Sequence, residues 1–252
     1  MQKWATTTRA VGTVVFCALG LQLAVVPVAA SCPLPLDRGA RWTYEGRVEW
    51  TVPGSASVKG AHIRWTCQVV DIIKGPRARA AIVRGFPGEL AWYEPGQPPG
   101  FCVLLQVSNR LYRLKTEGEK PARALARQLT KKPRVLPGGV EELLAFPLTV
   151  GHKCGRGEPR TDTWYCWCVE RVRNQAPAVA GLADKGKMPT YRLAYRTCPD
   201  HQLLDIVPGL GIVRFVYNHH GTVASSDVHL ISFHGNGAVA SGRRADHQGG
   251  HR

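Results

Sequence analysis

The chain has 252 residues, 44% of them hydrophobic, and its 33 Lys and Arg against 18 Asp and Glu give a formal charge of +15. Beyond residue 31 no apolar run approaches the ~20 residues of a spanning helix, which excludes a helical membrane protein once the N-terminus is set aside. The basic surplus favours anionic partners such as lipid head groups or acidic glycan, the alternative being a generally basic, solvated surface.

Residues 1–31 read as an export signal: Lys3 and Arg9, no acid, an apolar stretch from Val11 to Val28, and small residues at Val28, Ala29, Ala30 and Ser31. Export sets nucleic acid aside as a partner. A cut after Ala30 releases a soluble chain, whereas Ala29-Ala30-Ser31-Cys32 resembles a lipobox in which Cys32 is acylated and becomes the first residue. Cys17 leaves with the signal. If Cys32 takes lipid, Cys67, Cys102, Cys154, Cys166, Cys168 and Cys198 remain as an even set for three disulfides, with fifteen possible pairings. The expected location is the periplasm or outer membrane, with a lipid anchor as the membrane attachment.

The mature chain reads as a β-rich domain over 32–234, in halves 32–136 and 140–234, followed by a disordered tail over 235–252 that is mostly Gly, Ala, Ser, Arg and His. Trp42, Tyr44, Val48 and Trp50 share one parity over 41–52, which predicts a strand. Further strands are predicted over 62–73, 80–84, 101–107 and 110–114. Ala122, Leu125, Ala126 and Leu129 recur at helical spacing over 121–132, between Pro121 and Pro133. Pro137-Gly138-Gly139 and a short turn over 140–144 lead into the second half, with strands over 161–172, 191–198, 212–217 and 222–233. The fold class expected is mainly β: a curved antiparallel sheet or partly open β-barrel from two related halves, with one short helix.

Pro35-Leu36-Asp37-Arg38-Gly39 is echoed by Pro147-Leu148-Thr149-Val150-Gly151, and Pro208-Gly209-Leu210-Gly211-Ile212-Val213 leads to Tyr217 and Gly221-Thr222-Val223. This order resembles a family of uncharacterised bacterial exported proteins and lipoproteins that repeat a Pro-Leu-x-x-Gly-x-x-Trp-like start and carry a late Pro-Gly-x-Gly-x-Val strand. The resemblance implies an open β-barrel like that of the periplasmic lipoprotein carriers and brings no established chemistry. Cys154 stands where the second aromatic is expected.

Several clusters carry residue types capable of chemistry. Trp164-Tyr165-Cys166-Trp167-Cys168, with His152 and Cys154, collects soft ligands, but the spacing matches no recognised zinc or Cys-x-x-Cys pattern, so disulfides are expected and no metal. His219, His220, His229 and His234 are placed at one end of the final hairpin, in solvent. Cys198-Pro199-Asp200-His201 reads as a disulfide followed by a turn. No Gly-x-Ser-x-Gly, His-Glu-x-x-His or phosphate loop is present, and no cofactor is expected. The Pro-rich loop opening on Trp92 and Tyr93 offers a stacking surface, the alternative being aromatics packed inward. Arg123, Arg127 and Lys131 form the basic face of the helix, a second binding surface for anionic lipid or glycan. The function expected is a non-enzymatic envelope protein that binds an apolar or anionic ligand or a partner protein on a curved sheet. The alternatives are an exported hydrolase using carboxylates and a structural assembly protein.

Overall fold

A computed structural model describes residues 32–133, 136–137, 140–155, 163–175, 179, 186–220 and 224–235. The expected signal over 1–31 and the expected tail beyond Gly235 lie outside the described residues. In chain order the elements are β1 (Arg41–Thr51), β2 (Val58–Lys74), β3 (Ala78–Arg84), a 3-10 turn (Pro87–Trp92), β4 (Phe101–Val107), β5 (Arg110–Thr116), α1 (Glu119–Lys131), β6 (Glu141–Ala145), β7 (Lys153–Cys154), β8 (Trp167–Gln175), β9 (Met188–Arg196), β10 (Asp200–Val207), β11 (Gly211–His219) and β12 (Ala224–His234).

All twelve strands form one antiparallel sheet in the order β6-β5-β4-β3-β2-β1-β12-β11-β10-β9-β8-β7. Two meanders, β1–β6 and β7–β12, are joined by the long β1–β12 ladder. Its close approach needs a residue without a side chain at Gly46, where a Cβ would stand 2.0 Å from the Asp227 carbonyl oxygen. The sheet curls until its edges meet, so that it is nearly a closed barrel. Side chains bridge the remaining seam: the Ala145 N–H of β6 donates to Cys154 Sγ at 3.2 Å, and Trp167 Nε1 donates to Glu141 Oε1 at 2.7 Å. Glu141 also receives Arg113 at 2.6 Å.

Equivalent bonds recur in the two meanders. Gly39 and Gly151 both adopt φ +84°, a left-handed turn that favours glycine. The Gly39 N–H donates to Val69 O at 2.9 Å and the Gly151 N–H to Val169 O at 2.8 Å; Val69 and Val169 return bonds to Ala40 O and His152 O, both at 2.9 Å. Trp42 faces Cys67 across β1–β2, and Cys154 faces Trp167 across β7–β8, so one Trp–Cys pair is exchanged between strands. This is why Cys154 occupies the aromatic position of the sequence echo.

Inward residues of alternating parity make the main core, including Trp42, Tyr44, Leu104, Leu193, Phe215 and Tyr217. Buried Trp42 and Tyr44 donate to the carbonyls of Leu210 at 2.7 Å and Ile212 at 2.9 Å, tying β1 to the β10–β11 turn. Outside β3–β5 a second apolar cluster lies beneath α1, whose Ala122, Ala126 and Leu129 are buried. Asp71 and Glu119 hold Arg123 on the sheet. Burial alone raises the Asp71 carboxyl, but the Ile72 N–H at 2.9 Å and Arg123 more than offset it and hold it below its ordinary range. A carboxylate depressed in the fold stabilises above its unfolded pKa of about 3.9 and loses that contribution as pH falls below it. Asp71→Asn is therefore expected to cost roughly 1 kcal/mol at pH 7 and nothing at pH 2, measured by urea unfolding at both pH values.

The stretch over 140–144, read as a turn, forms strand β6, and Asp200 and His201, read as part of a turn after a disulfide, open strand β10. The three disulfides are not formed: all of Cys67, Cys102, Cys154, Cys166, Cys168 and Cys198 remain thiols. Cys67 and Cys102 lie on β2 and β4 with β3 between them, about 10 Å apart at the usual strand spacing and too far for a bridge. Cys154 and Cys168 face opposite sides of β7–β8, because Cys154 pairs with Trp167 and Lys153 with Cys168. Burial pushes the Cys102 and Cys154 thiols up to about 12. In the native protein at pH 8, a thiol reagent is expected to label exposed Cys198 first and Cys67, Cys102 and Cys154 only after unfolding. Unreactive cysteines in denaturant without reductant would contradict this.

Candidate functional site

The concave face of the sheet is filled by the protein's own side chains. The space beside Leu36, Trp42, Tyr44 and Phe86 is ≈ 20 Å³, about one water and far below a ligand. That one space is too small for an apolar cargo.

One reason is the connection from β3 to β4, which folds into the mouth of the barrel. Gly85 starts it with φ +71° and a backbone so close to Thr66 O that a Cβ would sit 2.3 Å away. Trp65 Nε1 donates to Gly85 O at 2.8 Å. Phe86 and Leu90 are buried, and Ser226 Oγ donates to Leu90 O from β12. Glu89, raised by burial, accepts the Gly100 N–H at 2.8 Å and closes the base of the loop.

The plug leaves its last aromatics at the rim. Trp92 is 53% exposed, with its ring centroid 4.6 Å from His219 and 5.7 Å from Tyr217. Tyr93 lies 5.7 Å from Trp50, which has the inward parity of Tyr44 and Val48 at the end of β1. Trp50, Thr51, Pro53, Ser55, Trp92, Tyr93 and Glu94 line an open cleft of ≈ 590 Å³. Beneath Trp92, Asp200 Oδ1 accepts the Tyr217 hydroxyl at 2.8 Å and contacts His219 Nδ1 at 2.8 Å. Burial, then the bond to Asp200, pushes the Tyr217 phenol far up, so it remains a donor. Among the described residues no Ser, Thr or Cys is bonded to His219. The Asp200 contact fixes the imidazole against Trp92.

A second cleft of ≈ 250 Å³ opens at the seam, between Glu141 and Glu142 on one side and Cys154, Tyr165, Trp167 and Tyr195 on the other. Tyr165, at φ +57°, breaks the alternation expected over 164–168, and the strand starts at Trp167. Trp164 and Tyr165 are exposed here, as are Val58 on the β1–β2 hairpin and, away from the mouth, Val150 and Val172.

The remaining expectations separate. Tyr93 is half-buried and Trp92 exposed, so only part of the pair packs inward. Arg123 is held by two acids, whereas Arg127 and Lys131 are exposed on α1. The four histidines do not all converge: His219 and His220 are at the mouth, His229 lies mid-strand opposite Glu45, and His234 pairs with Arg41 at the far end. Among the described residues no group of three His, Cys, Asp or Glu is placed to hold a metal, and no helix is long and apolar enough to cross a membrane. Cys32, the expected lipidation site, packs half-buried against the core, and the adjacent Pro33 O accepts the Gly209 N–H at 3.0 Å, at the end opposite the mouth. Sequence reasoning missed Trp50 as a partner of Tyr93 and Asp200 as the anchor of His219. Trp50's parity signalled the first, and no local pattern signals the second.

No family model and no curated protein matches the chain. Two solved structures are similar in outline. One, from Bacteroides fragilis, is named as an exported protein with a YmcC-like fold, with 11% identity, a TM-score of 0.41, and coverage of 80% of this chain and 98% of that one. The other, from Parabacteroides distasonis, is named as a lipoprotein, with 11% identity, a TM-score of 0.41, and coverage of 81% and 99%. Neither lends this chain a ligand or an activity.

Proposed function

We propose that the protein is an exported, non-enzymatic envelope protein that binds a glycan in the cleft at the barrel mouth. The observation that carries this reading is the pairing of Trp50, Trp92 and Tyr93 with the polar side chains of Thr51, Ser55 and Glu94 in one open cleft. Aromatic faces stack on the C–H faces of sugar rings while hydroxyl and carboxylate groups take the ring hydroxyls. A glycosidase needs two carboxylates flanking the bond, and Glu94 is the one acid among the described lining residues, which favours binding over hydrolysis. Acylation of Cys32 would tether the end opposite the mouth and leave the cleft facing away from the membrane. Intact mass of the envelope-extracted protein tests that tether: a diacylglyceryl or triacyl mass on Cys32 supports it, and an unmodified Ser31 start refutes it.

The cleft is tested by tryptophan fluorescence during titration with a chitin hexasaccharide. A saturable change is expected in the native protein, with affinity reduced about tenfold or more in Trp92→Ala. Equal binding by the variant, or no binding by the native protein, refutes the site.

A further inference from the structure

The outward face of the second meander carries a row of charge that the core does not require. Across β9, β10 and β11, Arg192, Asp205 and Arg214 stand side by side in register, and on β12 Asp227 lies diagonally from Arg214, which faces His229. Arg192 binds Asp205 and Arg214 binds Asp227, each at 2.6 Å, and Arg196 binds Glu170 at 2.5 Å. Each of these acids is thus engaged by an arginine of its own. On β8 the row continues with another cation, because Arg171 faces Arg192 directly across the β8–β9 ladder. Like charges directly opposed destabilise a sheet. Arg173 follows on the same face, opposite Thr190. Neither Arg171 nor Arg173 has an ion pair among the described residues. Thr190 is 5% exposed, and its buried Oγ1 has no hydrogen-bond partner, an arrangement that costs free energy until a ligand supplies one.

We propose that Arg171, Arg173 and Thr190 form a binding site for a phosphate monoester or pyrophosphate group on the outer face of β8–β9. Two arginines without acids call for a dianion, and a phosphate monoester carries close to two negative charges at neutral pH. Arginine's planar fork matches phosphate oxygens bidentately, and the Thr190 hydroxyl supplies a neutral donor beside it. The site is separate from the mouth cleft and independent of the glycan reading. It also relocates the anion-binding surface from α1, where Arg123 is already held by Asp71 and Glu119.

Thermal unfolding with millimolar inorganic pyrophosphate tests the site, with phosphatidic acid vesicle flotation as the arm for a lipid-borne source of the same group. Pyrophosphate is expected to raise Tm by a few degrees in the native protein. Arg171→Thr/Arg173→Thr is expected to lose that rise and, by relieving the opposed charges, to unfold no lower than the native protein in plain buffer. The control Arg127→Ser/Lys131→Ser removes the same charge from α1 and is expected to keep the rise. Flotation lost in the β8 variant but kept in the α1 variant, without a pyrophosphate effect, assigns the group to a lipid and supports the site. Equal responses from both variants, or no response to either probe, overturn it.

Discussion

Replacement of Trp42 by alanine is expected to lower stability by about 3–5 kcal/mol, the range for removing a fully packed indole. The ring is 4% exposed, stacks on Phe233 with centroids 5.3 Å apart and bonds the Leu210 carbonyl. Those contacts join β1, β12 and the β10–β11 turn, the junction where the two meanders meet. Trp42→Phe keeps most of the packing and loses the hydrogen bond, so a smaller loss of about 1–2 kcal/mol is expected. Urea unfolding of both variants measures the difference, and equal losses would show that packing against Phe233 is not what matters.

The second large effect is expected at the seam. Glu141 accepts both Trp167 Nε1 and Arg113, and the Arg113 side chain is 11% exposed. Glu141→Ala leaves a guanidinium and an indole N–H without partners in a confined place, at a cost of about 3 kcal/mol after allowance for the partial exposure of Glu141. Because β6 and β7 lack a backbone ladder between them, the loss should be local: amide exchange is expected to speed up in β6 to β8 before β1 and β12. Uniform acceleration would show that the seam is not a separate weak line.

Much of the strand pattern was legible because alternation over 41–52, 101–107 and 110–114 records which face each residue buries, and the helix because Ala122, Ala126 and Leu129 recur at its period. Strand β10 was hidden by Cys198-Pro199-Asp200, a turn signature that ends where the strand begins. Strand β6 was hidden by its brevity and the preceding glycines. The cysteine count pointed to disulfides because even numbers in exported chains usually do. It carries no register, and register is what puts Cys154 and Cys168 on opposite faces. At the mouth, Trp92 and Tyr93 stood out as an aromatic pair, but their neighbours Trp50 and His219 come from β1 and β11. Contacts at such separations depend on the curl of the sheet. The outward arginines of β8 look like ordinary surface charge until the ladder sets Arg171 against Arg192.

The mouth cleft is the centre of the proposed function. Its most direct test is the set of tryptophan indole N–H signals in a ¹H–¹⁵N NMR spectrum recorded during titration with chitin hexasaccharide. Shifts confined to Trp50 and Trp92, with Trp42 and Trp65 in the core unmoved, are the predicted result. Unmoved Trp50 and Trp92 signals at saturating glycan, or shifts at Trp164 and Trp167 alone, would contradict it.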